Sequence, residues 1–189
     1  MSSRSLILDK LRPSKKSDKK PLPNWEGKPE NGDLVESFSS AIQANKGEVM
    51  TAQEFENWLK SQEFAQILCK SHHFQLPNSI PIPSNAHDLA LLNLAILDGQ
   101  FGTAENGAIW LEEEDLQLRA IPFITEHLVI ILSRKRLVAT MHEAYNRIQD
   151  SSSGFGLFLA GPSKTADIEQ SLVIGAHGAK SLRVVWRED

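Results

Sequence analysis

The sequence predicts an α/β domain with a mainly parallel sheet flanked by helices. One observation is a set of short apolar runs with polar boundaries, "FAQILCKS", "LAIL", "GAIWLEE", "HLVIILS", "GFGLFLAG" and "SLRVVW". Runs of that length suit strands covered on both faces. A second is the helical spacing of apolar residues between those runs, so that strand and helix alternate along the chain. A third is size: 189 residues bury one good core and are too few for two full-sized domains. We therefore expect a single domain over residues 33–189, preceded over residues 1–32 by a short helix and a basic mobile tail.

Taken in order, Leu6, Ile7 and Leu11 make one face of a first short helix that Pro13 stops. Seven of the twenty Lys and Arg residues fall in the first twenty positions, concentrated in "RPSKKSDKKPLP", which reads as a solvated tail. Asp33 opens "DLVESFSSAIQANKG", with Leu34, Phe38, Ala41 and Ile42 on one face and Gly47 placed as the C-terminal cap. "TAQEFENWLK" carries Thr51 and Glu54 at capping-box spacing, and Phe55, Trp58 and Leu59 form its inward stripe. Cys69 falls in the strand "FAQILCKS", where a buried, inert thiol is expected. "SNAHDLALLN" reads as helical before "LAIL". In "RLVATMHEAYNRIQD" the residues Leu137, Met141, Ala144, Tyr145 and Ile148 recur at helical spacing and leave His142 exposed. "GFGLFLAG", a polar loop and helix, and "SLRVVW" close the chain as a strand, connection and strand.

Composition excludes several classes of function. A formal net charge of −4 gives no footprint for nucleic acid. No apolar run reaches membrane-spanning length, and the N-terminus shows no small-residue cleavage site. We expect a cytoplasmic protein that binds neither membrane nor nucleic acid. Cys69 is the single cysteine, which rules out a disulfide within these residues. It also leaves no ligand set for a Cys-rich zinc or iron-sulfur centre. We expect no metal and no cofactor of its own.

The stretch "GPSKTADIEQSLVIGAHG" from Gly161 to Gly178 is unusually rich in polar chemistry. Following a strand of a parallel sheet, it is expected at the carboxyl end, where such connections line the ligand crevice. Two readings stay open. Thr165 caps a helix and Asp167 faces the positive end of its dipole, or Ser163, Lys164 and the free N–H groups hold a phosphate or carboxylate. A nucleoside-triphosphate loop does not fit, because Lys164-Thr165 follows Ser163 with the wrong glycine spacing. "GAHGAK" fails as a dinucleotide fingerprint for the same kind of reason. His177 between two glycines serves equally well to reach a ligand or to tie down a turn.

This block resembles the signature of the lactate-utilization protein C family (LutC/YkgG, LUD domain), which reads close to GPSRTADIE, an apolar run, then G-x-HGP. Gly161, Pro162, Ser163, Thr165, Ala166, Asp167, Ile168, Glu169, Gly175, His177 and Gly178 agree with it. Lys164 substitutes for Arg, and Ala179 replaces Pro. "SSRSLILDKLRP", "DLVESFSSAIQANKGEV" and "AENGAIWLEEEDLQLRAIPFITEHLVIIL" resemble further parts of the family, while residues 13–32 and 60–84 fit least.

The resemblance implies a fold similar to the NagB/RpiA/CoA-transferase-like group. It also implies a role in oxidising L-lactate to pyruvate with two iron-sulfur partner proteins (LutA-like and LutB-like), whose clusters carry the electrons. The ligand-binding residues it implies are Gly161, Ser163, Lys164, Thr165, Asp167, Glu169, His177 and Gly178, with Asp167 the foremost functional candidate and a small anion the expected ligand. A shorter likeness of "TAENGAIW" to the S-E-N-G signature of class I CoA-transferases, with Ala104 in place of Ser, casts Glu105 as an acyl-accepting nucleophile; a plain turn is the favoured reading of Asn-Gly. Three functions are thus carried forward: a subunit of a lactate-oxidising system without its own redox centre, an enzyme acting on an acyl-CoA or phosphorylated metabolite through Glu105, and a regulatory module binding a small carboxylate.

Overall fold

The computed structural model of the chain describes residues 3–11, 32–149, 153–166 and 172–187. Its centre is a five-stranded, wholly parallel sheet. The strands are β1 (Glu48–Met50), β2 (Ile67–Lys70), β3 (Leu94–Asp98), β6 (His127–Ser133) and β11 (Ser181–Arg187), in the order β1-β11-β6-β3-β2. The expected α/β class with a mainly parallel sheet is what forms.

The central strands are apolar throughout because both faces of the sheet are covered, and the period of two sorts their side chains. Leu128, Ile130 and Leu132 of β6, with Ala95 and Leu97 of β3, enter one core beneath Phe38 and Ile42 of helix α2 (Leu34–Ala44). Val129 and Ile131 of β6, with Leu94 and Ile96 of β3, enter the other, where α3 (Ala52–Lys60) supplies Phe55, Trp58 and Leu59. Each fully buried Leu or Phe contributes on the order of 1.5–3 kcal/mol by leaving water. A one-residue slip of β6 would exchange the two sets, so the register is well determined.

Local signals set the helix ends. Thr51 and Glu54 make the reciprocal capping box, and Asp33 accepts from the Val35 N–H at 2.8 Å. At the end of α2 the Lys46 N–H donates to Gln43 O and the Gly47 N–H to Ile42 O, both at 2.9 Å. That is a Schellman closure, and its left-handed residue is Lys46 at φ 68°. Gly47 was expected to hold that conformation; it lies one place further on.

A second sheet joins β4 (Phe101–Thr103), β5 (Ala108–Glu112), β7 (Leu137–Val138) and β8 (Gly156–Leu159) in the order β7-β4-β5-β8. β4-β5 and β5-β8 are antiparallel. "GAIWLEE" and "GFGLFLAG" therefore leave the parallel sheet. Immediately after β3 the Gly99 N–H bonds to Ile131 O and the Gln100 N–H to Trp110 O, turning the chain onto β5. Leu137 lies in β7 ahead of α6 (Met141–Ile148), whose Tyr145 is 60% exposed; His142 is exposed as expected.

Three further expectations are corrected. The helix anticipated after Thr165 does not begin there: Thr165 sits in β9 (Lys164–Ala166), paired with Val173 of β10 (Leu172–Ile174). β-branched Thr165, Val173 and Ile174 favour that antiparallel hairpin. Cys69 is half-buried because β2 is an edge strand. "SNAHDLALLN" gives only a single 3-10 turn, Ala86–Leu89, capped by Asn85. The first helix, α1 (Ser3–Leu11), forms as expected, with Leu6, Ile7 and Leu8 exposed. The side chain of Leu11, with Pro13 and the rest of the basic tail, lies outside the described residues.

Candidate functional site

The connection from β8 to β11 must deliver the chain to the amino end of β11, since β11 lies parallel to β6. The two ends of the block, residues 161–163 and 177–178, are thereby placed at the amino ends of the central strands, beside Leu128. Sequence reasoning put the block at the carboxyl ends; that expectation failed because β8 belongs to the antiparallel sheet.

There the block forms one side of a cleft of about 250 Å³. Its apolar wall comes from Leu128 of β6, Leu157 and Leu159 of β8, and Pro122 and Phe123 of the short helix α5 (Ile121–Ile124), which follows the single-turn helix α4 (Glu113–Leu116). Its polar end comes from Ser163 and His177 beside Gly161 and Gly178. Backbone bonds fix that end: the Ser163 N–H donates to Ala179 O and the Gly175 N–H to Ser163 O, both at 2.9 Å. Gly178 lies against Ser163 so closely that a Cβ at 178 would come within 3.1 Å of the Ser163 Cβ. His177 is exposed at the rim, and Phe123 is half exposed opposite. A cleft of this size, mostly apolar with two convergent polar groups, accommodates a small organic molecule or a side chain of a partner.

Of the eight expected ligand residues, Gly161, Ser163, His177 and Gly178 share this cleft. Lys164 turns away, and its Nζ donates to Asn45 Oδ1 at 3.0 Å. Asn45 Nδ2 donates in turn to Asn106 O at 3.0 Å, tying the block to the end of α2 and to the β4-β5 turn. Thr165 lies in β9 outside the cleft lining. Asp167 and Glu169 lie outside the described residues.

Glu105 stands in that β4-β5 turn but does not line the cleft. Its Oε2 accepts from the Met141 N–H at 2.7 Å, so the carboxylate completes the N-terminus of α6 alongside Thr140, which accepts from the Glu143 N–H. A carboxylate suits that position because the first-turn donors are otherwise unpaired. The turn is close-packed, with Gly107 at φ +70°.

Among the described residues, no group of three or more His, Cys, Asp and Glu is arranged to hold a metal ion. Cys69 is the only cysteine, and its thiol donates to Phe74 O at 3.3 Å; burial raises its pKa above the usual thiol value. Near the cleft, His127 at the start of β6 meets Ser181 Oγ at 2.8 Å through Nδ1. Burial, then the Arg183 charge, lowers its pKa from the ordinary value, with Glu126 opposing.

Sequence reasoning missed a polar recess at the opposite, carboxyl ends of the strands, lined in part by His72, His73, Asp98 and Arg187. Its members are spread from residue 72 to residue 187, and only strand pairing assembles them. "SHH" after an apolar run was the available signal.

The model of the family described as "LUD domain" matches residues 60–186. A lactate utilization protein C of Geobacillus kaustophilus is 34% identical over 92 residues, covering 46% of this chain and 38% of that protein. The protein of the same name from Shouchella clausii is 34% identical over 80 residues, 40% of this chain and 35% of that one. The match thus spans little more than a third of these relatives' length. A crystal structure of a DUF162 family protein from Deinococcus radiodurans superposes with TM-score 0.59 at 16% identity, covering 81% of this chain and 95% of that one. At that identity the likeness establishes the fold.

Proposed function

Because the chain belongs to the LUD domain family, we propose that it acts in lactate utilization, as a subunit that works with iron-sulfur partners and has no redox centre of its own. The observation that carries this reading is the cleft at the amino ends of the sheet. Four residues of the signature block, Gly161, Ser163, His177 and Gly178, meet there beside an apolar wall. Relatives named for lactate utilization support the process, and the single cysteine leaves cluster ligation to other chains. In this reading Ser163 and His177 supply hydrogen bonds to a small carboxylate or to a partner's polar group, while Leu128, Leu157 and Phe123 keep the contact dry.

The test is L-lactate-dependent reduction of an electron-acceptor dye by the two iron-sulfur proteins, with and without this chain. Activity should depend on its presence. The variants Ser163→Ala and His177→Ala should each lower that activity by about tenfold or more, as expected when a hydrogen bond to a charged group is lost, with folding unchanged by circular dichroism. A rate indifferent to the chain, with no association between the three proteins, would overturn the proposal.

A further inference from the structure

The polar recess at the carboxyl ends of the central strands holds about 90 Å³. Beside it opens a second, mostly apolar depression of about 210 Å³. His73 and Ile131 border both, so the two form one crevice with a polar and an apolar end. The apolar end is lined by Ala52 and Phe55 from the start of α3, Phe74 of the segment after β2, Ile131 of β6 and Val185 of β11. Phe55 and Phe74 meet edge to face with ring centres 5.1 Å apart, and a further ring set against such a pair gains the same kind of contact. An apolar cavity of about 150 Å³ accepts one benzene molecule, so this end has the space of one ring.

The polar end is ordered around Asp98, the last residue of β3. Its Oδ1 accepts from Ser71 Oγ, and its Oδ2 accepts from the His72 N–H at 2.7 Å, with His72 Nδ1 at 3.2 Å. A carboxylate only accepts, so Nδ1 carries the proton of the neutral ring and Nε2 is left as an acceptor. The His72 side chain is 73% exposed, and its only bonds are those to Asp98. His73 is engaged instead, since its Nε2 accepts from Arg187 Nη1 at 2.6 Å. Asp98 thus fixes which nitrogen of His72 is presented to the crevice.

We propose that this crevice binds a small hydroxylated aromatic molecule, of the phenol class, with its ring against Phe55 and Phe74 and its hydroxyl donated to His72 Nε2. His72 and Phe74 are two residues apart, and two residues of chain span at most about 7 Å, so one ring with its hydroxyl reaches both. An apolar wall with a single placed polar group is the common make-up of small-molecule sites. The carboxyl ends of parallel strands are where ligands of open α/β sheets sit. None of these residues lines the amino-end cleft.

The full chain, at about pH 8 and so above the ordinary histidine value, is titrated with p-cresol and, separately, with toluene. Two-dimensional amide NMR and the imidazole proton signals follow each titration. For p-cresol, saturable shifts around residues 52–56, 72–74, 131 and 185 are expected, together with movement of the His72 ring signals. Toluene has the ring without the hydroxyl and should bind about tenfold more weakly, the effect of one lost hydrogen bond. His72→Ala should bring p-cresol down to the toluene level. Ala52→Leu, at an exposed helix position where leucine suits the helix, should fill the apolar end and weaken both compounds by about tenfold or more. The proposal is overturned if p-cresol gives no saturable shifts, if toluene binds as tightly as p-cresol, or if both variants bind p-cresol as the parent does. Ser163→Ala and His177→Ala should leave p-cresol binding intact, which separates its failure from that of the lactate reading.

Discussion

Replacing Gly161 by alanine tests how the signature block is seated. Gly161 has φ +81°, and a Cβ there would overlap the Asn45 carbonyl oxygen and lie 3.0 Å from Asn45 Cβ. The carbonyl is backbone, in the peptide that joins the C-cap residue Asn45 to Lys46, so it retreats only by loosening the Schellman turn at Lys46 and Gly47. A non-glycine residue in the left-handed region costs about 1–2 kcal/mol, and forced overpacking adds about 1–3 kcal/mol. Gly161→Ala should therefore destabilise the protein by roughly 2–5 kcal/mol, or about 4–20 °C in Tm for a chain of this length. Urea unfolding at constant m reports the free energy. Gly154→Ala is the internal control, because its Cβ would meet only the end of the Glu113 side chain at 3.5 Å. If Gly161→Ala stays within about 0.5 kcal/mol of the parent, like the control, the packing of the block against α2 is not as described.

Three more outcomes are expected. The pKa of His127 is lowered in the fold by burial and by Arg183. The unfolded chain then binds more protons between the folded and unfolded values, and the stability from neutral His127 is full above about pH 6.5 and lost as pH falls through that window. Urea midpoints at pH 7.5, 6.0 and 5.0 should fall less steeply in His127→Gln than in the parent; equal slopes would refute the burial argument. Thr51→Ala removes the capping box of α3 and should cost about 1 kcal/mol by urea unfolding; no change would mean that tertiary contacts alone hold the helix end. Glu105→Ala uncaps Met141 and should cost about 0.5–1 kcal/mol while leaving lactate-dependent dye reduction within about twofold. Loss of the whole activity in a folded Glu105→Ala protein would revive the nucleophile reading.

What the sequence made legible was local or periodic. The Thr51–Glu54 box is visible because both partners lie within one turn, and β6 because five consecutive apolar residues have no polar face to offer. Register and sheet membership were not visible. "GFGLFLAG" has the composition of a central strand, yet it pairs with β5 because the chain turns out of the parallel sheet at Gly99 and Gln100. "TADIEQSLVI" carries helix-forming and strand-forming residues together, so composition alone does not reveal that Thr165 pairs with Val173. Within the candidate cleft, the signature residues were recognisable, but their wall of Leu128, Leu157 and Phe123 comes from other elements that only folding brings near.

The two sites relate through β6. Leu128 near its amino end walls the cleft, while Ile131 and Ser133 toward its carboxyl end line the recess. At about 3.3 Å per residue in a parallel strand, Leu128 and Ser133 stand roughly 16 Å apart. Between them Val129 and Ile130 are buried in opposite cores, and β11 and β3 bond the strand on both sides. A strand so held has no second arrangement at hand, since moving it by one residue would turn both cores inside out. Ligand effects at one end therefore have no bistable element in β6 through which to reach the other. Substitutions at the two ends should add in free energy, as they do for sites more than about 7–10 Å apart with no shared partners. Coupling between the two ends of the sheet, if measured, would have to run outside β6.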